Sequence, residues 1–420
     1  MPNDDPQEQT FVIVGASLAG ATAATALREE GFGGQIVLIG EEHERPYERP
    51  PLSKDYLQGK TEKEMIFVHP EGWYAEHDVE LRLGTRVTGI DATAHRLTLQ
   101  NGQQLGYDKL LLATGSSARR LSIPGADLDG VLYLRSVEDS ERIKDALRAG
   151  SRVVVIGAGW IGLEVTAAAR IAGAKVTVLE MAELPLLRVL GREVAEIFAA
   201  LHRGHGADLQ FGVQLQEITG RDNRVTGVEL ADGGHVDADV VIAGVGIKPN
   251  TELAAAAGLR VDNGIVVDEH LRSSDPDIYA VGDVANAFHP LLGRHIRVEH
   301  WAAALNQPKI VAKTMLGGDA IYDRVPYFFT DQYDFGMEYS GYVEPGGYDE
   351  VVFRGNRDKG EFIAFWLKDD RVLAGMNVNI WDVNDAIQDL VRSAITVDTA
   401  KLADADVPLA DVEREAKIRS

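Results

Sequence analysis

Residues 152–164 read RVVVIGAGWIGLE, a short apolar run that leads into a glycine-rich turn. The apolar run predicts a buried β-strand, and the stretch Leu163–Ile171 favours a helix. Between them, Gly157, Gly159 and Gly162 fit the pattern G-x-G-x-x-G. Glycines let a pyrophosphate approach the backbone closely, while the helix N-terminus presents free N–H groups and a positive dipole. The stretch therefore predicts a dinucleotide-binding site.

A carboxylate is expected at the end of the next strand of such a site, where it binds a ribose hydroxyl. Lys175–Leu179 is a second β-type run, and Glu180 follows it, 18 residues after Gly162. Met181 and Ala182 come next, so no adjacent arginine is available for a 2′-phosphate. We therefore predict that this site prefers NADH to NADPH.

A second copy of the pattern lies near the start of the chain at residues 12–20, VIVGASLAG. Gly15 and Gly20 match, but Ser17 replaces the middle glycine, and Glu41 lies 21 residues after Gly20. Serine is small and its hydroxyl can donate a hydrogen bond to phosphate, so the replacement weakens this copy only modestly. The two copies begin 142 residues apart, which is too far for a repeat array and indicates two separate Rossmann-like domains in an α/β chain.

The sequence changes in character after about Pro326. Aromatic, strand-favouring segments follow, including Glu361–Leu367 (EFIAFWL) and Arg371–Gly375. These segments predict a C-terminal α+β domain with an antiparallel sheet.

Two dinucleotide sites in one chain indicate FAD beside NADH, with hydride passing from the nicotinamide to the flavin. In disulfide reductases and thiol-based peroxidases a cysteine then takes the electrons. This chain contains no cysteine. The electron acceptor is therefore expected to be external, and an NADH oxidase or peroxidase that depends on cysteine is disfavoured.

Charge and hydropathy limit the possible partners. The formal net charge of −23 disfavours nucleic acid and anionic membrane, which would both repel the protein. No apolar run reaches ~18 residues, and Met1–Thr10 is polar, unlike a signal sequence. We expect a soluble, cytoplasmic protein, either a monomer or a homodimer. His202 and His205 lack further ligands nearby in sequence, so no metal site is predicted.

Distinctive motifs run nearly end to end along the chain. They are VIVGASLAG (12–20), RPPLSKDYL (49–57), LLATG (111–115), YLRSVED (133–139), VVVIGAGWIGLE (153–164), SSDPDIYAVGDVA (273–285) and YFFTDQYD (327–334). In these motifs the chain resembles the oxygenase-coupled NADH-dependent ferredoxin reductases, a family that includes the reductases of aromatic-ring dioxygenases. The resemblance implies a glutathione-reductase-like arrangement, with FAD bound by residues 1–112 and 246–324, NADH by 113–245, and a C-terminal domain at 325–420.

The resemblance also implies roles for individual side chains. Lys54 is expected near the flavin N5, where its charge would stabilise the reduced anionic flavin. Glu164 is expected to hydrogen-bond the nicotinamide carboxamide and to face Lys54. Asp283 is expected to accept a hydrogen bond from the ribityl chain of FAD.

Further contacts to the cofactors follow from the same resemblance. The remaining assignments are Ala19 against the FAD pyrophosphate, Val87 beside its adenine, Arg49 and Arg135 at its phosphates or adenine, Gly244 close to NAD, and Glu299 and Trp301 near the flavin and nicotinamide. Trp301 is larger than the residue in many relatives, which leaves open whether it stacks on a cofactor or fills the core.

The function implied is that of an FAD-dependent NADH:ferredoxin reductase. Hydride would pass from NADH to FAD, and single electrons would then pass to a [2Fe–2S] ferredoxin that supplies a monooxygenase or a ring-hydroxylating dioxygenase. Two alternatives stay open. One is an NADH-responsive FAD redox sensor resembling apoptosis-inducing factor, and the other is a rubredoxin reductase.

Overall fold

A computed structural model describes residues 8–412, so the predicted polar segment Met1–Thr10 lies mostly outside the described residues. The strands in chain order are β1 (Thr10–Val14), β2 (Gln35–Ile39), β3 (Val79–Arg82), β4 (Val87–Asp91), β5 (Arg96–Leu99), β6 (Gln104–Gly106), β7 (Lys109–Leu112), β8 (Ser116–Ala118), β9 (Val131–Tyr133), β10 (Arg152–Ile156), β11 (Lys175–Glu180), β12 (Asp208–Phe211), β13 (Leu215–Arg221), β14 (Arg224–Leu230), β15 (His235–Asp237), β16 (Val240–Ala243), β17 (Ile247–Pro249), β18 (Ile265–Val267), β19 (Ile278–Ala280), β20 (Ala285–His289), β21 (Arg294–Ile296), β22 (Tyr327–Gln332), β23 (Phe335–Gly341), β24 (Glu350–Asn356), β25 (Glu361–Lys368) and β26 (Arg371–Val378).

Helices connect many of these strands. The α-helices are α1 (Leu18–Glu29), α2 (Trp73–Glu76), α3 (Val137–Ala146), α4 (Trp160–Ile171), α5 (Leu187–Gly204), α6 (Glu252–Ala256), α7 (Trp301–Met315), α8 (Asn384–Ser393) and α9 (Thr399–Ala403). Short 3₁₀ helices occur at Pro50–Ser53, Lys63–Ile66 and Gly282–Val284.

The chain divides into two compact units. Unit 1 contains the described residues up to Arg49, Glu62–Ser117 and Ile247–Pro326. Unit 2 contains Pro50–Thr61, Ala118–Gly246 and the described residues from Tyr327 onward.

Unit 1 is built on a parallel sheet in the order β19-β7-β1-β2-β3. In its register, Val12 of β1 lies between Val37 of β2 and Leu110 of β7. Strand β1 is almost continuously apolar, as expected of a parallel strand that is covered on both faces. Helices α1 and α7 pack together beside this sheet.

Unit 2 repeats this construction in the order β12-β11-β10-β16-β9, again with parallel strands. A small antiparallel sheet, β13-β14-β15, follows in the same unit. In both units, parallel pairing brings the loops that leave the carboxyl ends of the central strands to one edge of the sheet. This edge is where doubly wound α/β sheets bind dinucleotides.

The third part of the fold is the antiparallel sheet β22-β23-β26-β25-β24. It shares one core with the parallel sheet of unit 2. Phe198 of α5 packs with Phe335 and Phe362, and the indole N–H of Trp366 donates to the Leu190 carbonyl at 2.9 Å. This shared core explains why residues 327–412 and 118–246 form one compact unit.

The predicted fold class is confirmed: the chain contains two Rossmann-like parallel sheets and, in its C-terminal part, an antiparallel sheet. The predicted strand Lys175–Leu179 lies within β11, which extends one residue further to Glu180. The predicted helix Leu163–Ile171 begins three residues earlier, at Trp160. The assignment of FAD and NADH to particular domains stays a prediction. No helix among residues 8–412 is long and apolar enough to span a membrane.

Candidate functional site

The glycine loop of unit 2 contains two glycines that are closely packed against backbone atoms and one that faces open space. Gly157 has φ +96°, and a Cβ there would lie 2.5 Å from the Gly244 carbonyl oxygen. A Cβ on Gly162 would lie 2.0 Å from the Gly157 oxygen, so both positions require glycine for close packing. At Gly159, however, a Cβ would meet no described atom within 4 Å. The loop therefore forms a cradle that a side chain at Gly159 would fill.

The helix behind this cradle begins without a side-chain cap. Gly159 is the N-cap of α4, and no side chain in residues 8–412 caps the helix there. The first N–H groups of α4 are therefore available to an anion, and the helix dipole favours one. The loop fits the pyrophosphate of a dinucleotide.

Glu180 lies beside the same loop at the end of β11. Its Oε2 accepts a hydrogen bond from the Ala158 N–H at 2.7 Å, and its Oε1 accepts one from the Ala182 N–H at 2.9 Å. The two backbone bonds fix the carboxylate at the carboxyl edge of the sheet. A fixed negative charge there suits a ribose hydroxyl and opposes a 2′-phosphate.

The glycine loop of unit 1 has the same construction. Gly15 has φ +119°, and a Cβ there would lie 2.1 Å from the Ala113 oxygen. A Cβ on Gly20 would lie 2.0 Å from the Gly15 oxygen. Ser17 is the N-cap of α1, but its side chain makes no capping bond to the described residues. The Ser17 replacement thus leaves the loop geometry and the helix N-terminus intact for a second dinucleotide.

Other predicted residues of this site lie around the same sheet edge of unit 1. Ala19 is buried in α1, facing Gly282, whose Cβ would lie 3.4 Å from the Ala19 Cβ. Asp283 follows β19 and accepts a hydrogen bond from the Ser116 hydroxyl at 2.7 Å. Glu41 is exposed at the end of β2, with Arg86 3.6 Å away. An exposed carboxylate in that place is accessible to a ribose.

The structure also shows the surroundings of two predicted cations and one predicted apolar contact. The Arg49 guanidinium pairs with Glu42 at 2.7 Å and donates to the Tyr47 hydroxyl at 3.2 Å. Val87 opens β4 and is buried in the core of unit 1. Arg135 belongs to unit 2, where its backbone N–H donates to Asp139 in the capping box of α3.

Trp301 and Glu299 lie at the start of α7. The Trp301 indole N–H donates to Glu48 Oε2 at 3.2 Å, and Glu299 pairs with Arg297 at 2.7 Å. Partial burial raises the pKa of Glu48, and the indole hydrogen bond opposes this shift. The Trp301 indole is thus oriented by a specific hydrogen bond, beyond any space-filling role. Glu48 was not predicted as a site residue from the sequence, although it directly precedes the RPPLSK motif.

The most distinctive cluster lies within unit 2 around Glu164. Lys54 Nζ lies 2.9 Å from Glu164 Oε1, and both side chains are buried. The Thr330 hydroxyl also donates to Oε1, at 2.5 Å, and the Ser53 hydroxyl donates to Oε2. Lys54 additionally lies over the ring of Phe329, 5.5 Å from its centre. The predicted Lys54–Glu164 pair is therefore formed, inside a polar cluster.

Two members of this cluster were not predicted from the sequence. Ser53 precedes Lys54 in the motif RPPLSK, and Thr330 lies in YFFTDQYD, so both stand within motifs that carry the resemblance. Trp160, which interrupts the glycine loop, packs edge-on against Phe198 and Phe328. Its ring joins the core between the parallel sheet and the C-terminal sheet.

Residues 9–307 match the pyridine nucleotide-disulphide oxidoreductase family, and residues 327–413 match the reductase C-terminal family. The chain belongs to the pyridine nucleotide-disulphide oxidoreductase family. Members use FAD and NAD(H), which are the two cofactors predicted from the glycine loops. The absence of cysteine means that this chain carries no redox-active disulfide despite the name of its family.

Within this family, the chain is similar to ferredoxin reductases of oxygenase systems. The chain is 40% identical to putidaredoxin reductase of Pseudomonas putida, covering 97% of each protein. It is 42% identical to the ferredoxin–NAD(+) reductase component of the anthranilate 1,2-dioxygenase system of Burkholderia cepacia, covering 95% of this chain and 98% of that protein. The predicted resemblance to ferredoxin reductases of oxygenase systems is confirmed.

A solved structure agrees with these sequences. The covalent complex of putidaredoxin reductase with putidaredoxin contains a chain that superimposes with a TM-score of 0.94 at 39% identity, covering 97% of this chain and 99% of that one. The likeness spans both Rossmann-like sheets and the C-terminal sheet.

Proposed function

We propose that this protein is an FAD-dependent NADH:ferredoxin reductase that supplies electrons to an oxygenase through a [2Fe–2S] ferredoxin. The observation that carries the proposal is the buried Lys54–Glu164 pair, formed in a cysteine-free chain with two dinucleotide cradles. When bound, FAD accepts hydride from NADH and can release the two electrons one at a time.

The residues of the chain contribute binding and orientation. The Gly159 cradle and the N-terminus of α4 hold the pyrophosphate of NADH, while Glu180 binds a ribose. Gly15, Ser17 and the N-terminus of α1 do the same for FAD. These contacts would hold each dinucleotide in one orientation, and binding of this kind lowers the entropic part of a reaction barrier.

The Glu164 cluster supplies charge and direction. With FAD bound, the buried Lys54 charge would stabilise the negative charge that develops on reduction, and the low local dielectric would strengthen its effect. Glu164 keeps the lysine ammonium group in place and offers an acceptor for a nicotinamide carboxamide. No cysteine takes part, so electrons leave for a separate protein.

The relatives support the choice of that partner. One of them belongs to an anthranilate dioxygenase system, and another was crystallised with its putidaredoxin. We further propose that the reductase works in the cytoplasm, where NADH is supplied, as a monomer or a homodimer. Light scattering of the purified holoprotein, with and without NADH, distinguishes these two states.

The test of the proposed function is cytochrome c reduction by the purified holoprotein with NADH. Turnover is measured alone, with a [2Fe–2S] ferredoxin of the putidaredoxin type, and with a rubredoxin. We expect ferredoxin to raise the rate many-fold in a saturable manner. Stimulation by rubredoxin alone would show that the acceptor is a rubredoxin rather than a ferredoxin. No stimulation by either protein would contradict the proposal.

A further inference from the structure

A chain of hydrogen bonds leads away from Glu164 into the interior of unit 2. Thr330 Oγ1, which donates to Glu164, lies 3.3 Å from Gln332 Nε2. Gln332 Oε1 lies 2.8 Å from His202 Nε2. His202 Nδ1 lies 3.4 Å from the Tyr333 hydroxyl. Thr330, Gln332 and His202 are all buried, with exposed fractions of 1%, 1% and 0%.

The chemistry of these groups gives every bond one direction. Burial lowers the pKa of His202 to about 4, so the ring is neutral near neutral pH and carries one N–H. Its Nε2 donates to the Gln332 carbonyl oxygen, and its Nδ1 accepts from Tyr333. The Gln332 amide then donates to Thr330, whose single hydroxyl proton is directed to Glu164. The Glu164 carboxylate therefore accepts the last hydrogen bond of a series in which every donor and acceptor is defined.

Tyr333, the last residue of the hydrogen-bond chain, has a strained backbone conformation. Tyr333 has φ +58°, a left-handed conformation that is uncommon for an aromatic residue. It occupies the turn between β22 and β23, and its ring stacks on His205 at 3.7 Å with an interplanar angle of 7°. Strain of this kind persists where the surrounding contacts determine the conformation, and it clusters at functional sites.

We propose that Thr330, Gln332 and His202 form a positioning relay that fixes the orientation of the Glu164 carboxylate toward the nicotinamide nucleotide. The inference rests on the proposed function, because Glu164 is the group that meets the nicotinamide there. Without the relay, the Thr330 hydroxyl is free to rotate and Glu164 loses one directed donor. The three relay residues act through Glu164 and are therefore positioning residues.

The test uses four variants of the FAD-loaded protein. Gln332→Leu removes both hydrogen bonds of the amide, and Thr330→Val removes the final donor. Thr330→Ser keeps that hydroxyl and serves as the conservative rescue. Ser340→Ala is the matched control, because Ser340 is a fully buried hydroxyl of the same sheet that donates to Asn384 rather than to the relay.

Two readouts separate positioning from stability. Calorimetry measures the Kd of the non-reducing analogue tetrahydro-NAD, and anaerobic stopped-flow measures the limiting rate of flavin reduction by NADH. We expect Gln332→Leu and Thr330→Val each to raise the Kd of the analogue, or to slow flavin reduction, about 5- to 10-fold. This is the effect of losing a directed hydrogen bond to a charged group. Thr330→Ser and Ser340→Ala should stay within about 2-fold on the same grounds.

The outcomes distinguish the relay from the proposed function. If the unaltered protein is reduced rapidly but Gln332→Leu and Thr330→Val match it in both readouts, the relay is wrong and the reductase assignment stands. If the variants only melt at lower temperature, with unchanged Kd and rate in the FAD-loaded fraction, the relay is merely structural. If Gln332→Leu does not fold, Tyr333→Phe, which removes one hydroxyl, must show a smaller loss in the same direction. Failure of the unaltered protein to react with NADH overturns the proposed function itself.

Discussion

Lys54 Nζ and Glu164 Oε1 lie 2.9 Å apart inside unit 2, with side-chain exposures of 11% and 4%. Removing one partner of such a pair leaves the other charge buried and uncompensated. The Lys54→Met variant is therefore expected to lose stability and to slow flavin reduction by NADH about 100-fold, the usual loss when one stabilising charge at a reacting centre is removed. Anaerobic stopped-flow absorbance measures the rate.

A double variant separates the two effects. Glu164→Gln combined with Lys54→Met removes both charges, so the melting temperature should recover while flavin reduction stays slow. Lys248→Met, at an exposed lysine paired with Glu252, is the control for loss of a lysine charge. Recovery of the reduction rate in the double variant would show that the pair serves folding alone.

The two glycines of the unit 2 cradle should respond differently to alanine. Gly159→Ala adds a Cβ that meets no described atom within 4 Å, so the melting temperature of the FAD-loaded protein should hold. The same Cβ occupies the proposed pyrophosphate position, and we expect the Kd for NADH to rise about 10-fold from overpacking. Gly204→Ala, at another glycine with open space around it, is the control and should bind NADH normally.

Gly157→Ala should fail in another way. Its Cβ would lie 2.5 Å from the Gly244 oxygen at a φ of +96°, so the fold itself should be destabilised. Unchanged NADH affinity in Gly159→Ala would show that the pyrophosphate of NADH does not bind at this loop.

Glu180 should set the preference for NADH over NADPH. Its carboxylate is fixed by the Ala158 and Ala182 N–H groups at the place where a 2′-phosphate would enter. Glu180→Gln removes the charge, and the ratio of kcat/KM for NADH to that for NADPH should fall about 10-fold, as expected for one charged hydrogen bond. Glu183→Gln, which alters a nearby exposed carboxylate paired with Arg192, should leave the ratio unchanged. An unaltered ratio in Glu180→Gln would show that Glu180 does not set the preference for NADH.

His202 should make stability depend on pH. Its pKa is lowered by burial from 6.5 to about 4 in the folded protein, so the unfolded chain binds the proton more readily between these values. Stability from this group is complete above pH 6.5 and is lost toward pH 4, by up to about 1.4 kcal/mol per pH unit. His202→Gln should show a shallower fall in the urea midpoint across this range. An equally steep fall would mean that His202 does not titrate as inferred.

Local patterns in the sequence were sufficient for the parallel sheets and their glycine loops. The apolar run Arg152–Ile156 and the glycines that follow it carry both the strand and the turn, because both depend on residues close together in the chain. Strand β11 and the antiparallel sheet of residues 327–378 were predicted from the same kind of local pattern.

Contacts between distant segments could not be derived in this way. The Lys54–Glu164 pair was expected only through the family resemblance, and its hydroxyl donors Ser53 and Thr330 were missed. His202 was considered only as a metal ligand, because its partners Gln332 and Tyr333 lie about 130 residues further along the chain. The packing of Trp160 against Phe328 likewise depends on how the C-terminal sheet meets α4.

The most direct measurement is anaerobic stopped-flow absorbance of the FAD-loaded protein mixed with NADH and, separately, with NADPH. We predict rapid bleaching of the flavin by NADH, much slower bleaching by NADPH, and fast reoxidation when a [2Fe–2S] ferredoxin is added. Slow bleaching by NADH, accompanied by NADH-dependent dimerisation and no response to ferredoxin, would contradict the reductase assignment and indicate a redox sensor.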